Sequence, residues 1–393
     1  MFLATRVQGL ERLTRFAPTA GRDYAAGRNS DPGPGNPCAV SRLSPYLRYR
    51  LIDEHEVVAS VLHEHSLAAA EKFVQEVLWR TYWKGWLELR PAVWSHYLEE
   101  VERARGPAYD GVLANAENGT TGIDGFDDWA RELVETGYLH NHARMWFASI
   151  WIFTLRLPWA LGAAFFLEHL IDADAASNTL SWRWVAGLQT AGKTYLATTD
   201  NIARYTGGRF APLGLATQAV ALTEPPIKAA RALAPVTAYD DSAPALLLVT
   251  HDDLHPESLP IARMGVNGAL IASDAQLLWG DNARRFVAAA ATDAASRVAE
   301  YFGCRADIAE TLGAPGLIAA AQAAGVRQIV TAYAPVGPVA QALAQLGPML
   351  ASEGITLALV RREWDERFWP YATKGFFPFK ERIPGLLQEF GLT

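Results

Sequence analysis

Cysteine is almost missing from this chain: Cys38 and Cys304 are the only two in 393 residues. Two thiols cannot assemble a four-cysteine zinc or iron–sulfur site. One possible pair also falls short of the disulfide framework of a small secreted domain, so reduced thiols in a cytoplasmic protein are expected. Surplus positive charge is missing too. Lys and Arg total 35 against 42 Asp and Glu, a formal net charge of −7. This excludes a polybasic nucleic-acid binder and confines any such contact to a local basic groove. No run of about eighteen uninterrupted apolar residues occurs. The most apolar stretch, residues 145–171, is broken by Arg156, Pro158 and Glu168, and the opening MFLATRVQGLERLTRF carries charge too early for a secretory signal. Neither a membrane span nor a leader is expected. Of metal-ligand patterns there is only His55, His63 and His65, whose spacing does not put all three on one helical face, so no metal site is expected.

Hydrophobic residues make up 50% of the chain, enough for large cores and for two domains. Residues 1–212 read as all-helical. Helical spacing predicts helices over 3–26, 53–65, 66–92 and 126–136, with Gly/Pro/Asn-rich loops at 28–37 and 106–125. Residues 213–243 read as a Pro/Ala/Thr-rich linker with one helix at 227–233. Residues 244–393 change character. ALLLVT (245–250), GALIAS (268–273), QIVTAY (328–333) and ITLALVR (355–361) are apolar runs of strand length, separated by helical segments at 281–301, 315–325 and 336–353. That alternation predicts a parallel sheet with covering helices, a Rossmann-like α/β domain with a C-terminal tail. No G-x-G-x-x-G follows its first strand, so a dinucleotide is not expected there.

The chemistry concentrates in residues 136–184. Met145, Phe147, Ile150 and Trp151, then Leu161, Phe165 and Leu170, recur at helical spacing, and Pro158 marks the first turn of a second helix. Asn141, Arg144, Asp172, Asp174 and Asn178 interrupt this apolar setting. Such groups must satisfy one another or a polar ligand with amide-like edges. Upstream, Ser41 and Ser44 precede a helix with Pro45 at its start, a terminus whose N–H groups and dipole suit an anion such as a diphosphate. Ordinary N-capping would explain the same serines.

The segments TGYLHNHARM (136–145), DADAASNTLSWRW (172–184), VSRLSPYL (40–47) and EVLWRTYW (76–83) resemble, in order and spacing, motifs of the DNA photolyase and cryptochrome family. The resemblance covers roughly residues 20–210. In that family an α/β domain precedes the helical one. Here it follows, so the layout resembles a circular permutation, and VTHDDLHPESLP resembles the family's first strand and loop. An unrelated Rossmann-like domain fused to the end is the alternative.

The resemblance implies FAD in the helical domain, held by Tyr24, Ser41, Arg42, Leu43, Ser44, Phe73, Arg80, Arg144, Asp172, Ala173, Asp174 and Asn178. Arg144 and Asp172 would be a buried ion pair beside the ring system, or a purely structural pair, and Asn178 would face the flavin N5. It further implies that Arg28, Glu76, Trp79, Trp83, Asn141, His142 and Met145 hold DNA with a flipped pyrimidine dimer. Trp79 and Met145 would otherwise be a core stripe. Trp182 and Trp159 match the proximal and middle members of an electron-transfer chain, and Glu76, Asn178, Trp182 and Trp159 are the expected catalytic residues. A third, surface tryptophan is missing from its place near Gly106; Trp129, Trp151 and Trp184 are candidate substitutes. The family also departs here in having Arg where His142 stands, and Gly-Gly where Leu180 and Ser181 stand. The function implied is light-driven repair of cyclobutane pyrimidine dimers by reduced FAD, a carbon–carbon lyase reaction, with a second antenna chromophore of open identity. The alternatives are a blue-light sensor that signals through a partner, and a non-photochemical FAD-binding remnant.

Overall fold

The first two hundred residues form helices and no strand among those described, and strands begin only at Ala245. The computed structural model of the protein describes residues 2–261 and 263–393. The helical half contains α1 (Arg6–Phe16), α2 (Arg22–Gly27), α3 (Ser44–Arg48), α4 (Glu54–Glu64), α5 (Leu67–Glu88) and α6 (Ala92–Ala104), followed by α7 (Asp110–Glu117), α8 (Phe126–Thr136), α9 (Asn141–Ser149), α10 (Trp159–His169), α11 (Ala175–Val185) and α12 (Thr199–Tyr205). Side chains close the helix starts as short polar residues should. Ser66 caps α5, Asp174 caps α11, and Asp53 with Glu56 forms a capping box on α4.

The remainder is an α/β unit. Strands β1 (Ala245–Val249), β2 (Val266–Ala272), β3 (Ala306–Ala309), β4 (Gln328–Ala332) and β5 (Thr356–Val360) lie in the order β3-β2-β1-β4-β5 and are all parallel. Helices α13 (Asp281–Phe302), α14 (Ala314–Ala324) and α15 (Pro338–Ser352) are the crossovers. The tail after β5 forms α16 (Glu363–Phe368), α17 (Phe376–Lys380) and α18 (Ile383–Glu389), and turns back onto α5. Multidomain α and α/β architecture is therefore as the sequence implied. One apolar core runs through the helical half, one face of the sheet and the tail; a smaller one lies between the other face and α14 and α15.

Several local expectations need correction. The helix expected at 227–233 does not form. Instead the linker runs extended over the helical half, where Arg231 N–H donates to Leu89 O at 3.0 Å and Leu222 N–H donates to Ala186 O at 3.0 Å. Leu89 and Ala186 are the C-caps of α5 and α11, so the linker answers carbonyls that a helix end leaves orphaned. The loop expected at 106–125 contains α7, and the helix expected over 3–26 breaks at Ala17–Thr19 around Pro18. Pro158 is the N-cap of α10 and not in its first turn, after a π-helical turn at Ile150–Thr154. Strand β3 was not expected; it is short and largely exposed, so it lacks an apolar run.

The two halves are joined by buried charge. After β1 the loop places Asp252 on Arg48 at 2.7 Å, and Arg362, itself held by Asp253, reaches Asp53 at 3.4 Å. Asp53, Glu56 and His255 gather nearby, with the carboxylates already facing Arg362 and Arg6. No helix among the described residues is long and apolar enough to cross a membrane.

Candidate functional site

Within the helical half lies a cavity of about 590 Å³, inside the range of roughly 300–1,000 Å³ usual for ligand pockets. Its walls follow from helical periodicity. Helix α5 contributes Phe73, Glu76, Val77, Arg80 and Trp83 at spacings of three and four, with Trp79 beside them. Helix α11 contributes Asn178, Ser181, Trp182 and Val185 in the same rhythm. Helix α9 adds Asn141, His142, Arg144 and Met145, while Ser41, Arg42, Leu43 and Ser44 close one end at the start of α3.

Two ion pairs stiffen the floor. Arg144 grips Asp172 with two bonds of 3.0 and 2.9 Å, and Arg80 is paired with Asp174. Burial alone would push both carboxyls up. The Arg144 guanidinium holds Asp172 below the usual carboxylate value, and Arg80 with Lys84 and Arg48 does the same for Asp174. Asp174 also accepts from Ser177 N–H at 2.7 Å. The Asn178 side-chain amide donates to Ala163 O at 2.8 Å, which fixes its plane. At the rim, Glu76 meets Arg28 at 2.5 Å, and burial raises its carboxyl despite that cation.

Of the residues implied for the cofactor, Tyr24, Ser41, Arg42, Leu43, Ser44, Phe73, Arg80, Arg144, Asp172, Ala173 and Asn178 line this one cavity. Asp174 lies behind them, where it orients Arg80 and caps α11. Those implied for DNA, Arg28, Glu76, Trp79, Trp83, Asn141, His142 and Met145, line the same space. His142 is tied down: Nδ1 lies 3.1 Å from Asn29 O, Nε2 3.3 Å from the Tyr195 hydroxyl, and its ring stacks on Trp146. Trp182 is in the wall, edge-on to Phe166 and Trp151 at 5.0 and 6.1 Å between centroids. Gly162 of α10 leaves room for its ring, where any Cβ would collide.

Trp159 is not in the wall. Its indole N–H donates to Glu100 at 2.8 Å, and its ring begins a file of Tyr97, Trp94 and Trp279 with successive centroids 5.6, 5.3 and 6.0 Å apart. Trp279 is half-buried, at the end of that file. Of the substitutes considered for a third tryptophan, Trp129 and Trp151 are buried and Trp184 stacks on Tyr195 beside the cavity.

Three cavity-lining residues carry buried polar atoms with no partner among the described residues: Arg42 Nε, Ser177 Oγ and Trp182 Nε1. These atoms expose no surface to the cavity, so they do not by themselves identify what fills it. The lining nonetheless suits a flavin dinucleotide in its chemistry: the hydroxyls of Ser41 and Ser44, the cations of Arg42, Arg80 and Arg144, and the amide of Asn178 border one space. Ser177 and Ser181 escaped the sequence reading, although they flank Asn178 at one and three residues. Phe376, which stacks on Trp79 at 3.6 Å and 11°, gave no local signal at all.

Residues 73–206 match the family model described as the FAD binding domain of DNA photolyase. The deoxyribodipyrimidine photo-lyase of Streptomyces griseus is 38% identical over 153 residues, which are 39% of this chain and 33% of that protein. The one from Vibrio cholerae is 28% identical over 212 residues, 52% of this chain and 43% of its own length. Among solved structures, a class III photolyase from Agrobacterium tumefaciens has 25% identity and a TM-score of 0.45, covering 52% of this chain and 43% of that one. An archaeal photolyase from Sulfolobus tokodaii has 24% identity and a TM-score of 0.44, covering 53% and 45%. The chain thus spans less than half the length of each of these relatives. Residues 73–206, in the helical half, are thus similar to the FAD binding domain of DNA photolyase.

Proposed function

We infer that the protein binds FAD in the helical cavity and uses it for light-driven repair of cyclobutane pyrimidine dimers in DNA. One observation carries the reading: the residues implied for the cofactor, Asp174 apart, and those implied for the lesion line one cavity. Reduced FAD, when bound, would supply the photochemical electron. The chain's own residues supply position and electrostatics.

Ser41, Ser44 and Arg80 would hold the diphosphate. The Arg144–Asp172 pair and Asn178 would flank the ring system, with Arg144 providing a fixed positive charge and Asn178 an amide locked by Ala163 O. Glu76 and Asn141 would read the base edges of the extruded dimer, while Trp79 and Met145 provide apolar contact. The raised pKa of Glu76 supports a carboxyl able to carry a proton toward a base carbonyl. Trp182 and Trp159 would serve the delivery of electrons to the flavin. The α/β half is read as the family's antenna domain in permuted order, a reading supported by the docking of the loop after β1 on Arg48 and Arg50 of the helical half.

A second reading, a FAD-binding blue-light sensor without repair, is favoured by His142. Its two ring nitrogens are engaged by Asn29 and Tyr195, where the family has an arginine suited to phosphate. The deciding experiment measures repair of a dimer-containing oligonucleotide in light and dark by wild type and Glu76→Ala, with flavin content recorded. Lit repair by wild type and a marked loss in the variant at equal flavin is the expected result. A yellow protein with neither repair nor lesion-dependent binding would give the sensor reading precedence.

A further inference from the structure

The tail that follows the α/β half returns to the cavity from behind. Phe376 of α17 stacks on Trp79 nearly parallel, at 3.6 Å between centroids and 11° between planes. It is buried and does not line the cavity, whereas Trp79 does. Tyr82 stands edge-on to the indole at 5.6 Å, and Trp83 lies tilted at 5.0 Å. The ring is thus held on its inner sides while it still borders the cavity.

The tail is itself fastened to α5. The Tyr82 hydroxyl donates to Lys374 O at 2.7 Å, Arg90 donates to Thr373 O at 2.6 Å, and Lys380 pairs with Glu71 at 2.8 Å. Just upstream, Gly85 lets the backbone of Trp369 come so close that an added Cβ would lie 2.8 Å from its Cα. Phe376 is therefore placed by contacts on both sides of it.

An indole at a pocket rim loses rotamer freedom when a ligand stacks on it, and a ring already fixed does not. We propose that Phe376 is a positioning residue for the lesion site: it backs Trp79 in the orientation that receives a flipped base of damaged DNA. The proposal rests on the repair reading of the cavity, and it gives the C-terminal tail a part in substrate recognition.

The test uses the full-length flavin-loaded protein and two oligonucleotides, one with a pyrimidine dimer and one undamaged. Phe376→Leu should weaken binding of the damaged strand about three- to tenfold, the scale of one aromatic pair, with flavin content unchanged. Phe376→Tyr should restore wild-type affinity because it restores the planar face. In a Trp79→Ala background, Phe376→Leu should cost nothing further, since the partner it positions is gone. Phe376→Met, which keeps burial but no plane, repeats the measurement if the Leu variant melts several degrees early. Wild-type affinity in both Leu and Met variants, or an equal loss with Trp79 already removed, overturns the proposal. If the wild type itself does not distinguish damaged from undamaged DNA while holding flavin, the repair reading falls and the role of Phe376 with it.

Discussion

Arg50 and Asp365 meet in the interior with two hydrogen bonds of 2.8 and 2.7 Å, across 315 residues of chain. Each side chain is 1% exposed. Arg50 sits just after α3, which opens the cavity end, and Asp365 lies on the returning tail. The same guanidinium also faces Glu54 and Asp253, each at 3.5 Å. Removing one partner of a buried pair strands the other, a loss of about 3–5 kcal/mol. Asp365→Ala should therefore lower the stability measured by urea unfolding by that amount. A loss under about 1 kcal/mol would mean that Glu54 and Asp253 neutralise Arg50 without help.

Asn178→Asp tests the locked amide. The side-chain nitrogen of Asn178 donates to Ala163 O; a carboxylate there would set acceptor against acceptor in a buried wall. Either the introduced carboxyl takes up a proton or the contact breaks, at a cost of about 1–3 kcal/mol. The expected outcome is a lower melting point at pH 8 that recovers as pH falls toward 5, together with a shifted flavin absorbance. A pH-independent melting point equal to wild type would show that Asn178 contributes no fixed donor.

Acid sensitivity should begin above the carboxylate range. Burial lowers His140 and His251 each to about 4, despite nearby Asp31 and Asp252 respectively. His140 Nδ1 accepts from His142 N–H at 3.2 Å, as only an unprotonated nitrogen can. With the folded pKa below the unfolded value of about 6.5, the unfolded chain takes up protons first as pH falls. Stability is then flat above about 6.5 and declines toward 4, by up to about 3 kcal/mol per imidazole. Asp172 and Asp174, held low by their arginines, add losses only below about 4. Melting points from pH 7.5 to 4.5 should fall less steeply in His251→Gln than in wild type. Identical slopes would remove His251 from the titration.

How much of this could be read beforehand depended on whether the information was local. Helix α5 was legible from the helical spacing over residues 66–92, whereas the placing of Phe73, Glu76, Arg80 and Trp83 on one cavity came only from the resemblance. Arg144 and Asp172 were legible as partners from the resemblance, with the cost of burying either alone in its support. The parallel sheet followed from four apolar runs, but β3 did not, because Ala306–Ala309 is an exposed edge with no apolar run. The linker was expected but its extended course in place of a helix at 227–233 was not, since its backbone is satisfied by Leu89 and Ala186 at helix ends far away in sequence. The Phe376 stack on Trp79 depends on where the tail returns, and no periodicity within residues 363–389 encodes that.

The aromatic file from Trp159 yields the last prediction. Trp159 is buried away from the cavity wall, with Arg183 5.8 Å from its ring centre and Glu100 accepting its N–H. A neighbouring cation makes an indole harder to oxidise, and a hydrogen-bonded carboxylate makes it easier. The two partners therefore set Trp159 against each other, and Glu100→Gln should tip the balance toward the harder state. If Trp159 relays electrons toward Trp182, Trp159→Phe should slow light-driven reduction of bound flavin by an external thiol to a small fraction of wild type. Glu100→Gln should slow it less. Chemical reduction in the dark, which needs no relay, should be unchanged in both, as should flavin content. Trp279→Phe separates the paths further: a slowed reaction assigns the exit to the file through Tyr97 and Trp94, whereas wild-type speed assigns it to the rings around Trp151. Wild-type photoreduction in Trp159→Phe would leave that indole a packing residue, and the hydrogen bond to Glu100 a structural contact.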